Sequence, residues 1–553
     1  MHRIVLATAF AAAIAGCAVG PDYAPPTPEM PAKWHAPMAG GESEGPIELA
    51  RWWEVFGDNQ LNSLIEEAAF ANYDLRIAAL RVREARAARG IVAADLYPQL
   101  GVGASYQRIE STAPNSSDDP TLSFGGSANG QSFSRSATLR AGDFTATGSS
   151  SVTRLGTLLM GGGQQGQSIG SSLLPSNSRN FSYTPNSAPS FDRTQDVYQI
   201  GFDASWELDV FGGNRRALEA ASADIDAAEE GRRDIMVSLL AEVARNYLTL
   251  REAQSRLVIA RENIQSQQDT VNIARARFDA GLTSEFDAMR AEAQLATTQS
   301  QLPAFETIVY SAIHRLSVLL GKNPSALIEE LLGEKPLPPL PPAVPTGLPS
   351  DLLRRRADVR MAERELAAAT ARIGEAMADL FPKFSLTGNF GFQNSNAGDL
   401  TLDTSRFFGF GPAVSWPVFD AGRIRANINV QNARQEQALL RYELAVKESL
   451  EDAENGLVAY AKEQERLISL DKAVNAERQA VALANDRYVT GLSDFLNVLD
   501  AQRALYLAED QQVQSRTTVL LNLVSLYKAL GGGWETFEED GKENLAKDLP
   551  GQG

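Results

Sequence analysis

The sequence contains one cysteine and three histidines in 553 residues, so side chains that bind soft metals are scarce. A single cysteine permits neither an internal disulfide nor a cysteine-based zinc site. The histidines, His2, His35 and His314, are scattered along the chain. No glycine loop followed by Lys-Ser/Thr occurs, and no Ser-His-Asp constellation is present. We therefore predict no metal, no cofactor and no enzymatic activity.

Positive charge and long apolar runs are also in short supply. The chain has 51 Lys and Arg against 69 Asp and Glu, a net charge of −18, which argues against nucleic-acid binding. After Cys17 no apolar run reaches the roughly 18 residues of a transmembrane helix. The nearest approach, residues 312–320, contains His314 and Arg315. Any membrane span would therefore have to be built from strands.

The N-terminus predicts a targeting signal. An apolar run over residues 4–14 leads to a small-residue site that ends in Cys17. This arrangement resembles a bacterial lipoprotein lipobox, which makes residues 1–16 a signal peptide and Cys17 the lipid attachment site. Ala18 follows, rather than aspartate, and favours the outer membrane. An ordinary signal peptide with an incidental cysteine is the alternative.

An internal repeat sets the predicted architecture. Residues 94–98, Ala-Asp-Leu-Tyr-Pro, return as Ala-Asp-Leu-Phe-Pro at 378–382, a shift of 284. The dipeptides at 205–206, 281–282 and 320–321 return after a shift of 210. The change of shift places a 74-residue insertion in the first copy.

Two strands are predicted in each copy. Apolar residues alternate with polar or small ones over residues 99–107, 197–208, 383–393 and 408–418, as in strands that face lipid on one side. A half-buried soluble sheet gives the same alternation and is the alternative. Four strands cannot close into a barrel, and lipid excludes open sheet edges. The membrane interpretation therefore requires several protomers.

A long helical hairpin is predicted in each copy, over residues 213–320 and 422–530. Apolar residues recur every seven positions, which favours coiled-coil packing over a globular core helix. These residues are Met236, Val243, Leu250, Leu257, Ile264, Val271 and Phe278, and in the second copy Val446, Ala453, Tyr460, Leu467, Val474, Val481 and Tyr488. A four-helix bundle formed by one protomer is the alternative. The first helix would be about 100 Å long at 1.5 Å per residue.

Glycine residues mark the predicted hairpin turns. Gly281 and Gly491 can supply the left-handed residue that ends a helix. Thr283 and Ser493 are expected to cap the returning helices. The inserted segment, residues 111–190, is rich in Ser, Gly, Asn and Thr and is interpreted as a flexible surface loop, with a lid as the alternative.

Four ordered segments resemble one family. They are residues 17–23 (Cys-Ala-Val-Gly-Pro-Asp-Tyr), 52–58 (Trp-Trp-Glu-Val-Phe-Gly-Asp), 347–356 (Gly-Leu-Pro-Ser-Asp-Leu-Leu-Arg-Arg-Arg) and 526–534 (Leu-Tyr-Lys-Ala-Leu-Gly-Gly-Gly-Trp). With the duplication, they resemble the TolC-like outer-membrane efflux channels, in the OprM/NodT-type lipoprotein branch. Ala357 departs from the proline that the family usually has there.

The resemblance implies a mainly α fold with transmembrane β: duplicated strand-strand-hairpin units in a homotrimer, with a 12-stranded β-barrel on a 12-helix periplasmic α-barrel. The N-terminal equatorial segment would then cover residues 17–60. The two repeats would cover residues 61–321 and 351–534, with a Pro-rich equatorial linker, 322–350, between them. Residues 535–553 would form a solvated acidic tail.

The resemblance also implies a function. The chain would be the passive exit duct of a tripartite RND-type efflux system for drugs or other small molecules. It would be anchored by lipid in the Gram-negative outer membrane and extend into the periplasm. Its partners would be outer-membrane lipid, two further copies, a periplasmic adaptor and an inner-membrane RND-type transporter. A type I protein-secretion duct and a lipid-anchored coiled-coil scaffold without a pore are the alternatives.

Two sets of site residues follow from the resemblance. The adaptor-contacting tips are Ala280, Gly281, Leu282, Thr283, Thr490, Gly491, Leu492 and Ser493. The periplasmic gate residues are Asp287, Tyr488, Leu496, Asn497, Asp500 and Arg503.

Within the gate set, Leu496, Asp500 and Arg503 are spaced to share one helix face. Threefold symmetry would turn them into an apolar plug and a charged ring. Asn497 stands where some relatives carry a second acid. A solvated Asp500–Arg503 pair without a gating role is the alternative.

Overall fold

The computed structural model describes residues 18–35, 42–43, 49–110, 121–128, 131–138, 153–154, 179–181, 194–341, 344–345, 349–400 and 403–537. The predicted lipid site, Cys17, lies outside these residues, as does the signal peptide. The chain divides into two compact units. One comprises Met1–Pro98, Trp206–Leu386 and Pro412–Gly553, and the other comprises Gln99–Ser205 and Thr387–Gly411.

The α-helices of the described residues lie in the first unit. They are α1 Asn59–Ala71, α2 Tyr73–Ala94, α3 Gly213–Asp279, α4 Glu285–Gln299, α5 Leu302–Leu319, α6 Ile328–Leu331, α7 Leu352–Arg355, α8 Ala357–Ala378, α9 Arg423–Val489 and α10 Phe495–Ala529. Nowhere in the described ranges does a helix combine the length and the apolar character needed to cross a membrane.

Within the described ranges, the strands form three sheets. They are β1 Glu42–Ser43, β2 Gln99–Glu110, β3 Thr121–Ala128, β4 Gln131–Thr138, β5 Thr153–Arg154, β6 Arg179–Phe181, β7 Thr194–Leu208, β8 Val344–Pro345, β9 Lys383–Asn394 and β10 Arg406–Ser415. The sheet orders are β10-β9-β7-β2, β5-β4-β3-β6 and β1-β8. In the first of these sheets, β2 and β7 pair antiparallel from Gln99↔Ser205 to Glu110↔Thr194.

The internal repeat is visible in the element boundaries. Both ends of α2 and α8 differ by 284 residues, and so do both ends of β2 and β9. Both ends of α3 and α9 differ by 210. A tryptophan contact is repeated as well: the indole Nε1 of Trp206 donates to the Leu96 carbonyl at 2.9 Å, and that of Trp416 donates to Leu380 at 3.0 Å. Repeated sequence therefore folds into repeated structure.

Three predicted features of the elements differ from the structure: the end of a strand, the continuity of a helix and the start of the tail. A strand was predicted over 408–418, but β10 ends at Ser415. Pro417 follows closely, and proline has no N–H to donate to a strand ladder. The first returning helix, expected to be continuous, is broken into α4 and α5, because Pro303 lies at the start of α5 and cannot sit in a helix interior.

The third boundary is the start of the predicted solvated tail at residue 535. Residues 535–537 form a 3₁₀ turn, and Phe537 is buried. Its ring stacks on that of Trp53 at 5.7 Å between centroids, so burial of this aromatic ring holds the turn on the core. The rest of the predicted tail, 538–553, lies outside the described residues.

The inserted segment is not simply a loop where it is described. β3 and β4 pair antiparallel from Thr121↔Thr138 to Ala128↔Gln131, so two residues separate them. Those residues are Asn129-Gly130, the dipeptide preferred in two-residue hairpin turns. This signal was present in the sequence, and it would have predicted the hairpin.

The heptad residues of both long helices are buried with few exceptions. Met236, Val243, Leu250, Leu257 and Val271 are buried in α3. Val446, Ala453, Tyr460, Leu467, Val474 and Tyr488 are buried in α9. Phe278, the last heptad residue of α3, is an exception, because 41% of its surface is exposed.

Three of the four family-like segments meet in one core. Trp52 stacks on Tyr527 with ring centroids 5.5 Å apart, which joins the second segment to the fourth. The indole of Trp534 donates to the Arg355 carbonyl at 3.1 Å, which joins the fourth to the third. Arg233 lies over the Trp534 ring at 4.5 Å. These segments therefore share a packing role, since aromatic rings dominate the apolar area that a core buries.

Candidate functional site: the hairpin tips

Each long helix ends in the same backbone motif. Gly281 and Gly491 have φ values of +71° and +77°, the left-handed region that glycine adopts without a Cβ clash. The N–H of Leu282 donates to the Arg277 carbonyl at 2.8 Å, and that of Leu492 donates to Arg487 at 2.7 Å. This six-residue closure is the Schellman motif. It fixes both turns with the same geometry.

The turns present apolar side chains to the surroundings. Leu282 is 67% exposed and Leu492 is 72% exposed in this chain. A Cβ built on Gly281 or Gly491 meets no atom within 4 Å. The tips are therefore open surfaces on which leucine and glycine are accessible, and an exposed apolar patch of this kind is suited to a protein partner.

The residues that begin the returning helices differ from the prediction. Thr283 and Ser493 are not the N-cap residues; Ser284 and Asp494 are, and neither uses its side chain as a cap. The Thr283 hydroxyl donates instead to the Asp287 carboxylate. This bond spans one helical turn and leaves the extended N-cap position to the next residue. The prediction was therefore off by one residue at each tip.

The same one-turn bond occurs in the second tip with its direction reversed. The Asn497 amide donates to the Ser493 hydroxyl at 2.7 Å. Asn497 is the repeat equivalent of Asp287, since the two are 210 residues apart. The bond is conserved between the repeats while the carboxylate is replaced by an amide. One negative charge per chain is lost at this level.

Arg277 joins the two tips and was missed by the sequence reasoning. Its guanidinium donates to the carbonyl oxygens of Tyr488 at 3.0 Å and Val489 at 3.1 Å. It also lies over the Tyr488 ring, 4.7 Å from the centroid. Burial raises the pKa of the Tyr488 hydroxyl, and the nearby Arg277 cation opposes that rise. The position of Arg277 in the last turn of α3 could have identified it from the sequence, because cations interact favourably with helix C-termini.

An apolar cluster supports this contact from behind. Residues of both hairpins form it, and the Tyr488 and Phe495 rings lie 5.2 Å apart within it. Its buried members are Val271, Ala274, Ala288, Ala291, Leu295, Tyr488, Phe495, Val498 and Leu499. The predicted gate residue Tyr488 is thus a buried link between the hairpins, near Asp287.

Three of the predicted gate residues lie on one exposed face of α10. Leu496, Asp500 and Arg503 are exposed, whereas Phe495, Val498, Leu499 and Gln502 on the opposite face are buried. In the part of the chain that the structure describes, the side chains of Asp500 and Arg503 form no ion pair with each other. The face can therefore interact with groups outside this chain.

The chain matches a known family and known structures. A family model described as outer membrane efflux protein matches residues 163–322 and 348–532. The pyoverdine export outer membrane protein OpmQ of Pseudomonas aeruginosa is 29% identical over 511 residues, which cover 92% of each chain. The toluene efflux pump outer membrane protein TtgF of Pseudomonas putida is 29% identical over 549 residues, which cover 97% of this chain and 98% of that protein.

Solved structures agree over nearly the whole chain. The outer-membrane channel OprN has a TM-score of 0.74 and 34% identity, covering 94% of this chain and 100% of that one. The open state of the Neisseria gonorrhoeae outer membrane channel MtrE has a TM-score of 0.71 and 25% identity, covering 94% and 99%. These likenesses confirm the predicted TolC-like fold.

Proposed function

This chain belongs to the outer membrane efflux protein family, and from that premise we propose that three copies form one passive exit duct for small molecules. The chain is an outer-membrane efflux protein, and proteins of this family are not enzymes. Pyoverdine and toluene are named for its relatives. We propose a small-molecule cargo for this chain too, selected by an RND-type inner-membrane transporter.

The open edges of the sheet carry the trimer proposal. In the sheet β10-β9-β7-β2, the strands β2 and β10 are edges, and each has a neighbour on one side only. An unpaired edge is costly in lipid, where no water satisfies the backbone. Pairing β2 of one copy with β10 of the next removes every edge when the ring closes. Three copies then supply twelve strands, the number that the family resemblance implies.

The exposed side chains of this sheet support a membrane location. Leu100 and Val102 in β2 are about 70% exposed, and Phe410 in β10 is 85% exposed. Water would disfavour such a row of apolar side chains, whereas hydrocarbon favours it by about 25 cal/mol per Å². Lipid on this face therefore accounts for the alternation seen in the sequence.

We further propose that Cys17 carries the lipid anchor. The next residue, Ala18, packs against Gly212, close to the end of β7 and the start of α3. The Val19 N–H donates to the Phe211 carbonyl at 3.0 Å, and Arg216 donates to the Asp22 carboxylate at 2.6 Å. These contacts hold the chain next to Cys17 at a strand-to-helix junction. An unmodified Cys17 in the mass spectrum of the mature protein would contradict the anchor.

The hairpin tips are proposed to meet a periplasmic adaptor. Exposed Leu282 and Leu492, each beside an unobstructed glycine, support this assignment. The exposed face of α10 with Leu496, Asp500 and Arg503 is proposed to be the gate. Threefold symmetry would bring three copies of this face together, and the gate opens by a shift between populations rather than by chemistry.

Reconstitution tests the duct. Purified trimers in planar bilayers are expected to give stepwise conductance, and deletion of the gene is expected to sensitise cells to the exported compounds. A scaffold without a pore would give no steps. Verified trimers that show no conductance, either as wild type or as the Asp500→Ala and Arg503→Ala variants, would contradict the proposed duct.

A further inference from the structure

The two hairpins of one chain are equivalent in sequence, but their contact with each other is one-sided. Arg277 of the first hairpin reaches across to the main chain of the second at Tyr488 and Val489. A shift of 210 residues converts Arg277 into Arg487 and converts Tyr488 and Val489 into Phe278 and Asp279. The second hairpin therefore carries its own arginine for the same contact, and the first carries its own receiving site.

Both halves of this second contact are unused within one chain. Among the described residues, no hydrogen bond or ion pair involves the Arg487 guanidinium, which is exposed. It lines an open groove of about 590 Å³ together with Leu483, Ala484, Gly491, Leu492, Ser493, Asp494 and Asn497. Phe278 is 41% exposed, whereas its equivalent Tyr488 is only 4% exposed.

From this asymmetry we infer that Arg487 of one copy binds the first hairpin tip of a neighbouring copy, in the role that Arg277 plays within the chain. The guanidinium donates to the carbonyl oxygens of Phe278 and Asp279 of the neighbour and stacks on the Phe278 ring. Cations of this kind bind aromatic faces and carbonyls well, because the guanidinium is planar and carries several donors.

The charges at this interface are complementary. Where the contact within the chain has Val489, the neighbour would present Asp279, a carboxylate beside the Arg487 cation. Each tip would then be tied on both sides: by Arg277 within the chain and by Arg487 between copies. In a trimer this makes a closed ring of six such contacts. The inference rests on the proposed trimer.

The register of this interface can be tested by cross-linking. Within the chain, the Gln502 amide donates to the Thr270 hydroxyl at 2.8 Å. The equivalent pair between copies is Glu292 of one and Ala480 of the other. The variant Glu292→Cys/Ala480→Cys, treated in detergent with a short bis-maleimide, is expected to shift on denaturing gels from monomer to covalent dimer and trimer.

Matched controls accompany that variant. Thr270→Cys/Gln502→Cys is expected to cross-link within one chain and to stay at the monomer position. Each single-cysteine variant reports any reaction through Cys17. Intact trimers that give no ladder would overturn the inference and leave the groove to another occupant such as the adaptor, while the proposed duct would stand. A monomeric wild-type protein would remove both.

The role of Arg487 itself needs a second measurement. Arg487→Ala is expected to lower the temperature at which trimers dissociate on semi-native gels, and Arg487→Lys is expected to restore part of the loss. Arg478→Ala is the control, because Arg478 lies on the same helix and pairs with Glu509 of its own chain at 3.0 Å. Equal dissociation temperatures for Arg487→Ala and the wild type would overturn the assignment.

Discussion

Arg277 is a single side chain that holds two distant turns together. Its two hydrogen bonds end on main-chain carbonyls in the last turn of α9. The carbonyl of Tyr488 also accepts from the Gly491 N–H of the turn at 3.0 Å, so one oxygen joins the turn and the arginine. Arg277 therefore ties the end of α9 to the first hairpin, and it adds a ring contact with Tyr488. Such a residue affects the order of the tip more than the stability of the fold.

We predict that Arg277→Ala loosens the second tip. Hydrogen bonds from a charged donor contribute about 1.5–3 kcal/mol. Amide exchange at residues 488–492 should therefore accelerate by roughly tenfold or more, since 1.4 kcal/mol is a factor of ten. Arg275→Ala, which removes an exposed pair with Glu292, is the control. Equal protection in both variants would count against this account.

Asp234 is a residue whose charge opposes folding. Burial raises the pKa of its carboxyl, the Asp358 carboxylate adds to the rise, and Lys528 and Arg356 oppose it. A carboxyl with a raised folded pKa binds its proton more tightly when folded. Its contribution to stability therefore increases as the pH falls through that pKa and is lost above it.

We predict that Asp234→Asn raises the Tm at pH 7 and that this advantage shrinks in acid. Calorimetry at a series of pH values from 7 downwards measures both the gain in Tm and its loss in acid. Asp452→Asn should have the opposite sign at pH 7, because Asp452 pairs with Arg356 at 3.0 Å. A lower Tm for Asp234→Asn at pH 7 would contradict the assignment.

At the scale of elements, the backbone of each tip turn serves the fold, whereas its outer surface is available to a partner. Gly491 needs its left-handed φ for the turn, and a side chain there costs about 1–2 kcal/mol in backbone strain. No atom lies within 4 Å of the added Cβ, so the fold can accommodate a larger residue. What changes is the outer surface that a partner would meet.

We predict that Gly491→Trp abolishes export while the trimer persists, and that Gly491→Ala retains most of it. Both variants carry the same backbone strain, so the difference reports the size of the obstruction. Drug susceptibility and trimer content on gels are the measurements. Normal resistance with the tryptophan variant would argue against docking at the tips.

At the scale of the whole assembly, the exposed face of α10 is the surface that we propose forms the gate when three copies meet. In the proposed trimer, three Asp500 side chains near the axis would repel one another, and three Arg503 side chains one turn away would offset that repulsion. An isolated exposed pair would be worth less than about 1 kcal/mol. In the proposed trimer, threefold symmetry would repeat this contact three times and place it across the path of the cargo.

We predict that Asp500→Ala and Arg503→Ala each raise single-channel conductance in planar bilayers. The reason is that each substitution removes one partner of the Asp500–Arg503 contacts that we propose hold the aperture closed. Arg516→Ala, far along the same helix, is the control. Unchanged conductance in both gate variants would remove these residues from the gate.

Much of the fold was accessible from the sequence because its signals are periodic and local. The seven-residue spacing predicted which residues of α3 and α9 are buried, and the two shifts predicted which elements are copies. The break between α4 and α5 departs from that periodicity because Pro303 disfavours a continuous helix. The β3–β4 hairpin cannot be seen in the composition of its segment, although Asn129-Gly130 is a two-residue turn signal.

The site was only partly accessible. Spacing placed Leu496, Asp500 and Arg503 on one face, since i, i+4 and i+7 share a side of any helix. It could not show that Tyr488 is buried beneath Arg277, or that Thr283 bonds to Asp287 rather than capping a helix. Those facts depend on how two separate hairpins pack.

By itself, the amino-acid order determined the duplication, the length of the helices and the glycine turns, because each is written in residues near one another. The pairing of the tips was decided only by tertiary structure, because residues 277 and 488 are 211 positions apart and nothing local links them. The same packing used one arginine of an equivalent pair and left the other exposed.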